Sequence, residues 1–177
     1  ATHGAPAVVN AHPHFAGDTI ALVHNGIIEN YEEIREELMA KGVEFAGQTD
    51  TEVLAFLVRD CYEGDLLKAV FKALNRVRGA YAIAVFDKDE PNRLVLARQG
   101  SPLVVGVGEG EMFAASDTIA LAGETESFIY LEDGDVVDMT PDHYEIYSHQ
   151  GEEFVPVKRE VRQVRAFSNS VELGPYR

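Results

Sequence analysis

The chain has 177 residues, with 30 Asp and Glu against 15 Lys and Arg, a formal net charge of −15. That length can bury a real core, and the acidity excludes non-specific nucleic-acid binding or docking on anionic lipid, both of which need basic surface. Its 46% hydrophobic and 25% charged residues are ordinary globular composition, and no apolar run approaches the ~20 residues of a transmembrane helix.

A single cysteine, Cys61, excludes an internal disulfide and any Cys-cluster metal site. Nothing at the start reads as a signal peptide, so a cytoplasmic location is the expectation.

Residues 1–18 read as irregular, punctuated by Gly4, Pro6, Pro13 and Gly17. Ile20 to His24 is an apolar run that predicts a short strand, ended by the turn dipeptide Asn25-Gly26. Asn30 is placed to N-cap a helix, with Glu33 as its capping-box partner and Ile34, Leu38 and Met39 on one face; Gly42 supplies the stop. Val43–Phe45 predicts a short strand. Thr49 and Glu52 form a second capping box, opening a helix through Val53, Leu54, Leu57 and Val58. Asp65 starts a third helix with Leu66, Ala69, Val70, Ala73 and Leu74 on one face.

From Tyr81 the period changes. Tyr81–Phe86, Leu94–Ala97, Leu103–Val107, Met112–Ala115, Phe128–Leu131, Asp135–Asp138, Tyr144–Tyr147 and Phe154–Val157 predict strands separated by turn residues. Short hairpin spacing implies mainly antiparallel pairing. Helices first and strands later, without βαβ alternation, imply an α+β fold rather than a Rossmann sheet. The domain is expected over residues 1–157, and residues 158–177, locally basic, read as a tail or linker.

Most short motifs have a structural explanation. His12-Pro13-His14 has a spacing some metal sites use, but the sequence places no third ligand. Gly106 to Gly110 misses the phosphate-loop spacing, carries Glu109, and reads as a hairpin turn. Asp87, Asp89 and Asn92 lack the glycine and closing glutamate of a calcium loop and read as a solvated hairpin tip. Cys61 has acidic neighbours, which raise a thiol pKa, and no nearby base, so it reads as structural.

His24-Asn25-Gly26 and Asp50 carry more. Asn25 and Gly26 either make an ordinary turn or offer a side-chain amide and a backbone N–H pointing one way, the donors of an oxyanion hole. Asp50 either caps a helix or grips a ligand ammonium group. Thr2 and His3, beside Gly4, could offer donors to a carboxylate. Together these would suit a zwitterionic amino acid.

Thr2-His3-Gly4, Asn10 to His14, Val23 to Ile27, Thr49 to Glu52, Arg78 to Tyr81 and Ala115 to Asp117 occur in this order. The set resembles the class II glutamine amidotransferase domain, an N-terminal-nucleophile hydrolase. Arg98 to Leu103, and Phe128 to Gly134, look like the branch found in glutamine–fructose-6-phosphate aminotransferases.

The resemblance implies a four-layer αββα sandwich of mainly antiparallel sheets. It implies L-glutamine as substrate, and Asn25 and Gly26 as the oxyanion hole. Asp50 would take the α-ammonium, and Thr2, with His3 beside it, the α-carboxylate. It implies no metal or organic cofactor, sugar isomerase domains in the same polypeptide, and a homo-oligomeric parent. The family nucleophile is a cysteine at the mature N-terminus. This sequence starts at Ala1, inside a motif that in the family reads Arg-Trp-Ala-Thr-His-Gly. The expectation is that the 177 residues alone do not turn over glutamine. The second reading is a non-catalytic module of the same fold that binds an amino acid or a partner.

Overall fold

The computed structural model describes residues 14–16, 20–45, 47, 49–108, 110–116 and 125–163, with only the backbone of 14–16. Two strands, β1 (His14–Ala16) and β2 (Ile20–Ile28), precede three helices, α1 (Tyr31–Ala40), α2 (Asp50–Cys61) and α3 (Leu66–Leu74). Nine strands follow: β3 (Gly79–Asp87), β4 (Leu94–Gln99), β5 (Val104–Val107), β6 (Met112–Ala115), β7 (Ser127–Tyr130), β8 (Asp135–Thr140), β9 (His143–Gln150), β10 (Glu153–Val157) and β11 (Arg162–Gln163). The pairings between these strands are all antiparallel, and an isolated bridge between Tyr81 and Gly100 is parallel. One sheet has the order β1-β2-β3-β4-β8-β9-β10, the other β11-β7-β5-β6.

Strand alternation sorts the core into two layers. Ile83 and Val85 of β3 face the helices and pack with Leu54, Leu57, Leu66 and Val70. Ala82 and Ala84, on the opposite face, join Leu96, Val105, Ala114 and Ile129 between the sheets. The centre of the large sheet is therefore buried on both sides, which is why β3 and β4 are continuous apolar runs. Helices, large sheet and small sheet make three of the expected four layers; among the described residues no helix covers the outer face of the small sheet.

Local chemistry explains the helix starts. Thr49 Oγ1 accepts the Glu52 N–H at 3.2 Å, and Asp65 accepts from Leu67 and Lys68. Four expectations are corrected. Asn30 makes no cap bond; its side chain donates to Arg76 O and accepts from Arg78 N, both at 2.8 Å, pinning the lead into β3. Val43–Phe45 is not a strand: Val43 N donates back to Leu38 O at 3.1 Å, and Phe45 meets the Phe56 ring edge-on. His14–Ala16, expected to be irregular, is paired with β2. Asp87 is fully buried rather than solvated, and accepts the Asp89 N–H. Nearby, Arg93 binds Asp138 at 2.7 Å, Glu90 at 2.6 Å and Asp65 at 3.2 Å, joining α3, the β3–β4 turn and β8. Of the residues read as a tail, Arg159 pairs with buried Asp135 and β11 pairs with β7.

Candidate active site at the junction of β2 and α2

The Asn25-Gly26 pair does not turn the chain. β2 runs straight through it to Ile28, with Asn25 opposite Ala82 and Gly26 opposite Tyr81. Glycine chemistry permits this. Gly26 has φ +120°, and a Cβ there would lie 2.3 Å from Ala80 O and 3.1 Å from Ser101 Oγ. The strand holds a backbone shape and an approach that only glycine can take. Asn25, Gly26 and Ile27 are exposed, Ile27 at 68%.

The wall behind Gly26 is built from distant segments. Ala80 is crowded by Gly26 from one side and by Gly100 from another, where a Cβ would meet Ala80 Cβ at 2.9 Å. Gly100 is held in turn: its N–H donates to Asp133 Oδ1 at 2.8 Å. Arg98 forms an ion pair with Asp133 at 3.4 Å and donates to Leu131 O. Gly134 N donates to Arg98 O at 2.8 Å. Two motifs singled out separately in the sequence, Arg98–Leu103 and Phe128–Gly134, thus form one support for the Gly26 backbone. Ser101 and Ala80 were missed as site residues, because only the tertiary fold brings them to Gly26. Tyr81, opposite Gly26, has its phenol pushed up to about 12, first by burial and then by Asp133, so it stays protonated.

Asp50 is the first residue of α2. Its Oδ2 accepts the Ile28 N–H at 2.9 Å, and the positive end of the helix dipole favours its charge. The neighbouring residue makes a second link: Thr51 Oγ1 lies 3.1 Å from His24 Nδ1. Glu52, 8% exposed, turns back to accept the Gly47 N–H at 2.8 Å instead of closing its capping box. Asn25, Gly26 and Asp50 are therefore brought to one junction.

The other expectations fall elsewhere. Thr2, His3 and His12 lie outside the described residues, as does the side chain of His14. Cys61 closes α2, about 16 Å along the helix from Asp50. It is half-buried, and desolvation, then Asp60, raises its thiol pKa. A cavity of about 410 Å³ between Phe86, Leu94, Met112 and Met139 contains none of the site residues. Among the described residues no group of three or more His, Cys, Asp or Glu could hold a metal ion, and no helix is long and apolar enough to cross a membrane.

A family model described as a glutamine amidotransferase domain matches residues 9–123, a span that includes β2 and α2. The chain belongs to this family. Curated relatives of the glutamine amidotransferase domain named glutamine–fructose-6-phosphate aminotransferase [isomerizing] include one from Bordetella pertussis, 56% identical over all of this chain and 29% of its own length. Another, from Aquifex aeolicus, is 52% identical over 91% of this chain and 27% of its own length. The chain thus spans under a third of those relatives. Among solved structures, the glutamine phosphoribosylpyrophosphate amidotransferase from B. subtilis superposes with a TM-score of 0.65 at 24% identity, covering 77% of this chain and 30% of that one. A glutamine aminotransferase class-II domain protein from Silicibacter pomeroyi gives 0.61 at 20% identity, covering 84% and 73%. At those identities the two structures speak for the fold alone. The family resemblance and the fold class read from the sequence are both borne out.

Proposed function

We propose that the domain binds L-glutamine and hydrolyses its side-chain amide to glutamate and ammonia. The ammonia would pass to sugar isomerase domains of the same polypeptide, converting fructose 6-phosphate to glucosamine 6-phosphate. The observation that carries the reading is the junction of β2 and α2, which holds an acid and two amide donors on linked elements.

In this reading Asp50 takes the α-ammonium group, while Thr2, with His3 beside it, takes the α-carboxylate. The Asn25 side-chain amide and the Gly26 N–H receive the oxyanion. A base takes the thiol proton, the thiolate attacks the δ-carbon and the carbonyl electrons move to oxygen; the intermediate then collapses, the C–N bond breaking as the nitrogen receives that proton and leaves as ammonia. Water then cleaves the thioester. Cys61 does not supply that thiolate: it sits at the wrong end of α2 with a raised pKa. In the family's chemistry the nucleophile is an N-terminal cysteine whose own α-amine is the base. The reading carries with it the expectations of a cytoplasmic, homo-oligomeric parent without an organic cofactor.

The test is steady-state glutamine hydrolysis by the full-length protein. Asn25→Ala should lower kcat about 10²–10³-fold with KM little changed, the usual cost of one oxyanion donor. Asp50→Ala should act on KM. Equal effects of the two changes on KM would overturn the division of roles.

A further inference from the structure

β2 and α2 are tied at two points, and the ties bracket the residues proposed to do the chemistry. At one, Ile28 N donates to Asp50 Oδ2 at 2.9 Å. At the other, Thr51 Oγ1 meets His24 Nδ1 at 3.1 Å. His24 and Ile28 flank Asn25 and Gly26 on the strand, while Asp50 and Thr51 are consecutive in the first helical turn. A single hydrogen bond lets the end of a helix pivot about it. Two, made to separate places on one strand, remove that rotation.

The consequence is metric. An amino-acid amide held by its ammonium group at one end and by its carbonyl oxygen at the other must match the gap between the two binding groups. Asparagine is one methylene shorter than glutamine. We propose that the His24–Thr51 hydrogen bond fixes the distance between Asp50 and the Asn25–Gly26 donors, making Thr51 a positioning residue that selects glutamine over asparagine. The proposal rests on the glutamine-hydrolysing assignment above and adds to it the origin of chain-length selection.

The hydroxyl is the part that matters, because either His24 tautomer can use it as donor or acceptor. Valine has the same branched shape and a similar helix propensity without the hydroxyl, and serine keeps the hydroxyl.

Thr51→Val and Thr51→Ser in the full-length protein test this, with ammonia release from L-glutamine and L-asparagine and the melting temperature as readouts. Thr51→Val should raise KM for glutamine about 5-fold, the worth of one neutral hydrogen bond, with kcat little changed. Its preference for glutamine over asparagine should fall, and Thr51→Ser should restore both. A Thr51→Val protein with unchanged KM and preference overturns the proposal, whether or not its melting temperature drops. So does a Thr51→Ser protein as impaired as Thr51→Val. Asp50→Ala, run in parallel, separates the two levels. If it leaves KM unchanged, the substrate-binding assignment itself fails. If it raises KM while Thr51→Val does not, only the spacer role fails.

Discussion

The Asp50 carboxylate accepts the Ile28 amide at 2.9 Å, so the acid that opens α2 is also a link to β2. A carboxylate has about four lone-pair sites, and one backbone donor leaves capacity for a ligand ammonium. Charge and hydrogen-bond acceptance can be separated by substitution. Asp50→Asn keeps a carbonyl for Ile28 N but removes the charge, and should raise KM for glutamine about tenfold while costing only the favourable charge at the start of α2, about 0.3–1 kcal/mol. Asp50→Ala should raise KM similarly and also lower stability by about 1–3 kcal/mol, because Ile28 N, in a residue only 1% exposed, loses its partner. Equal thermal stability of the two variants would show that the Ile28 bond carries no weight.

Gly26 and Gly42 both have positive φ, +120° and +98°, but their surroundings differ. At Gly42 nothing lies within 4 Å of a built Cβ; at Gly26 it meets Ala80 O at 2.3 Å. Gly42→Ala therefore bears backbone strain alone, about 1 kcal/mol. Gly26→Ala bears strain plus a clash with a central-strand backbone that cannot move aside. It should lose glutamine hydrolysis and unfold at a clearly lower temperature than Gly42→Ala. Matched melting curves for the two variants would refute the steric account.

Much of this was legible in the sequence where the cause is local. Strand β6 spans Met112–Ala115 as expected, because apolar runs bounded by turn residues need no tertiary information. Asp65 and Thr49 cap helices as their spacing implied. Asn25-Gly26 misled because its dipeptide preference is for turns, whereas its geometry is set by Ala80 and Ser101 from other strands and loops. Asn30 failed as a cap for a similar reason: the backbone of Arg76 and Arg78, in the connection between α3 and β3, takes its side chain. The candidate site divides the same way. Asp50 stands out in a capping pattern, but its bond to Ile28, and the wall of Arg98, Gly100 and Asp133 behind Gly26, exist only after folding.

Cys61 offers a negative control for any activity of the full-length protein. Its thiol pKa is raised above the ordinary value of 9.0, first by desolvation and then by Asp60, so little thiolate exists near neutral pH. Cys61 should react with iodoacetamide at pH 7.5 more slowly than a free thiol of ordinary pKa. Cys61→Ser should leave kcat and KM for glutamine unchanged. Rapid alkylation, or loss of hydrolysis in Cys61→Ser, would return this residue to the list of nucleophiles.

The β9–β10 hairpin is fastened to α3 by a stack of three rings. His149 lies on Phe154 at 4.1 Å and 14°, and Phe154 lies on Phe71 at 4.1 Å and 10°. His149 Nε2 also meets Asn75 Oδ1 at 2.6 Å. Burial lowers the His149 pKa below its ordinary 6.5, outweighing the opposing bond to the Gly151 backbone. The folded state therefore binds the proton less readily than the unfolded chain. The stability His149 contributes is present above pH 6.5 and is lost as the pH falls through its depressed folded value. His149→Gln removes the titration while keeping a hydrogen-bonding amide near Asn75. Between pH 7.5 and pH 5 the wild-type melting temperature should fall more steeply than that of His149→Gln, with the gap opening below about pH 6.5. Parallel curves across that range would mean that the ring stack tolerates a charged imidazole, as a cation resting on Phe154.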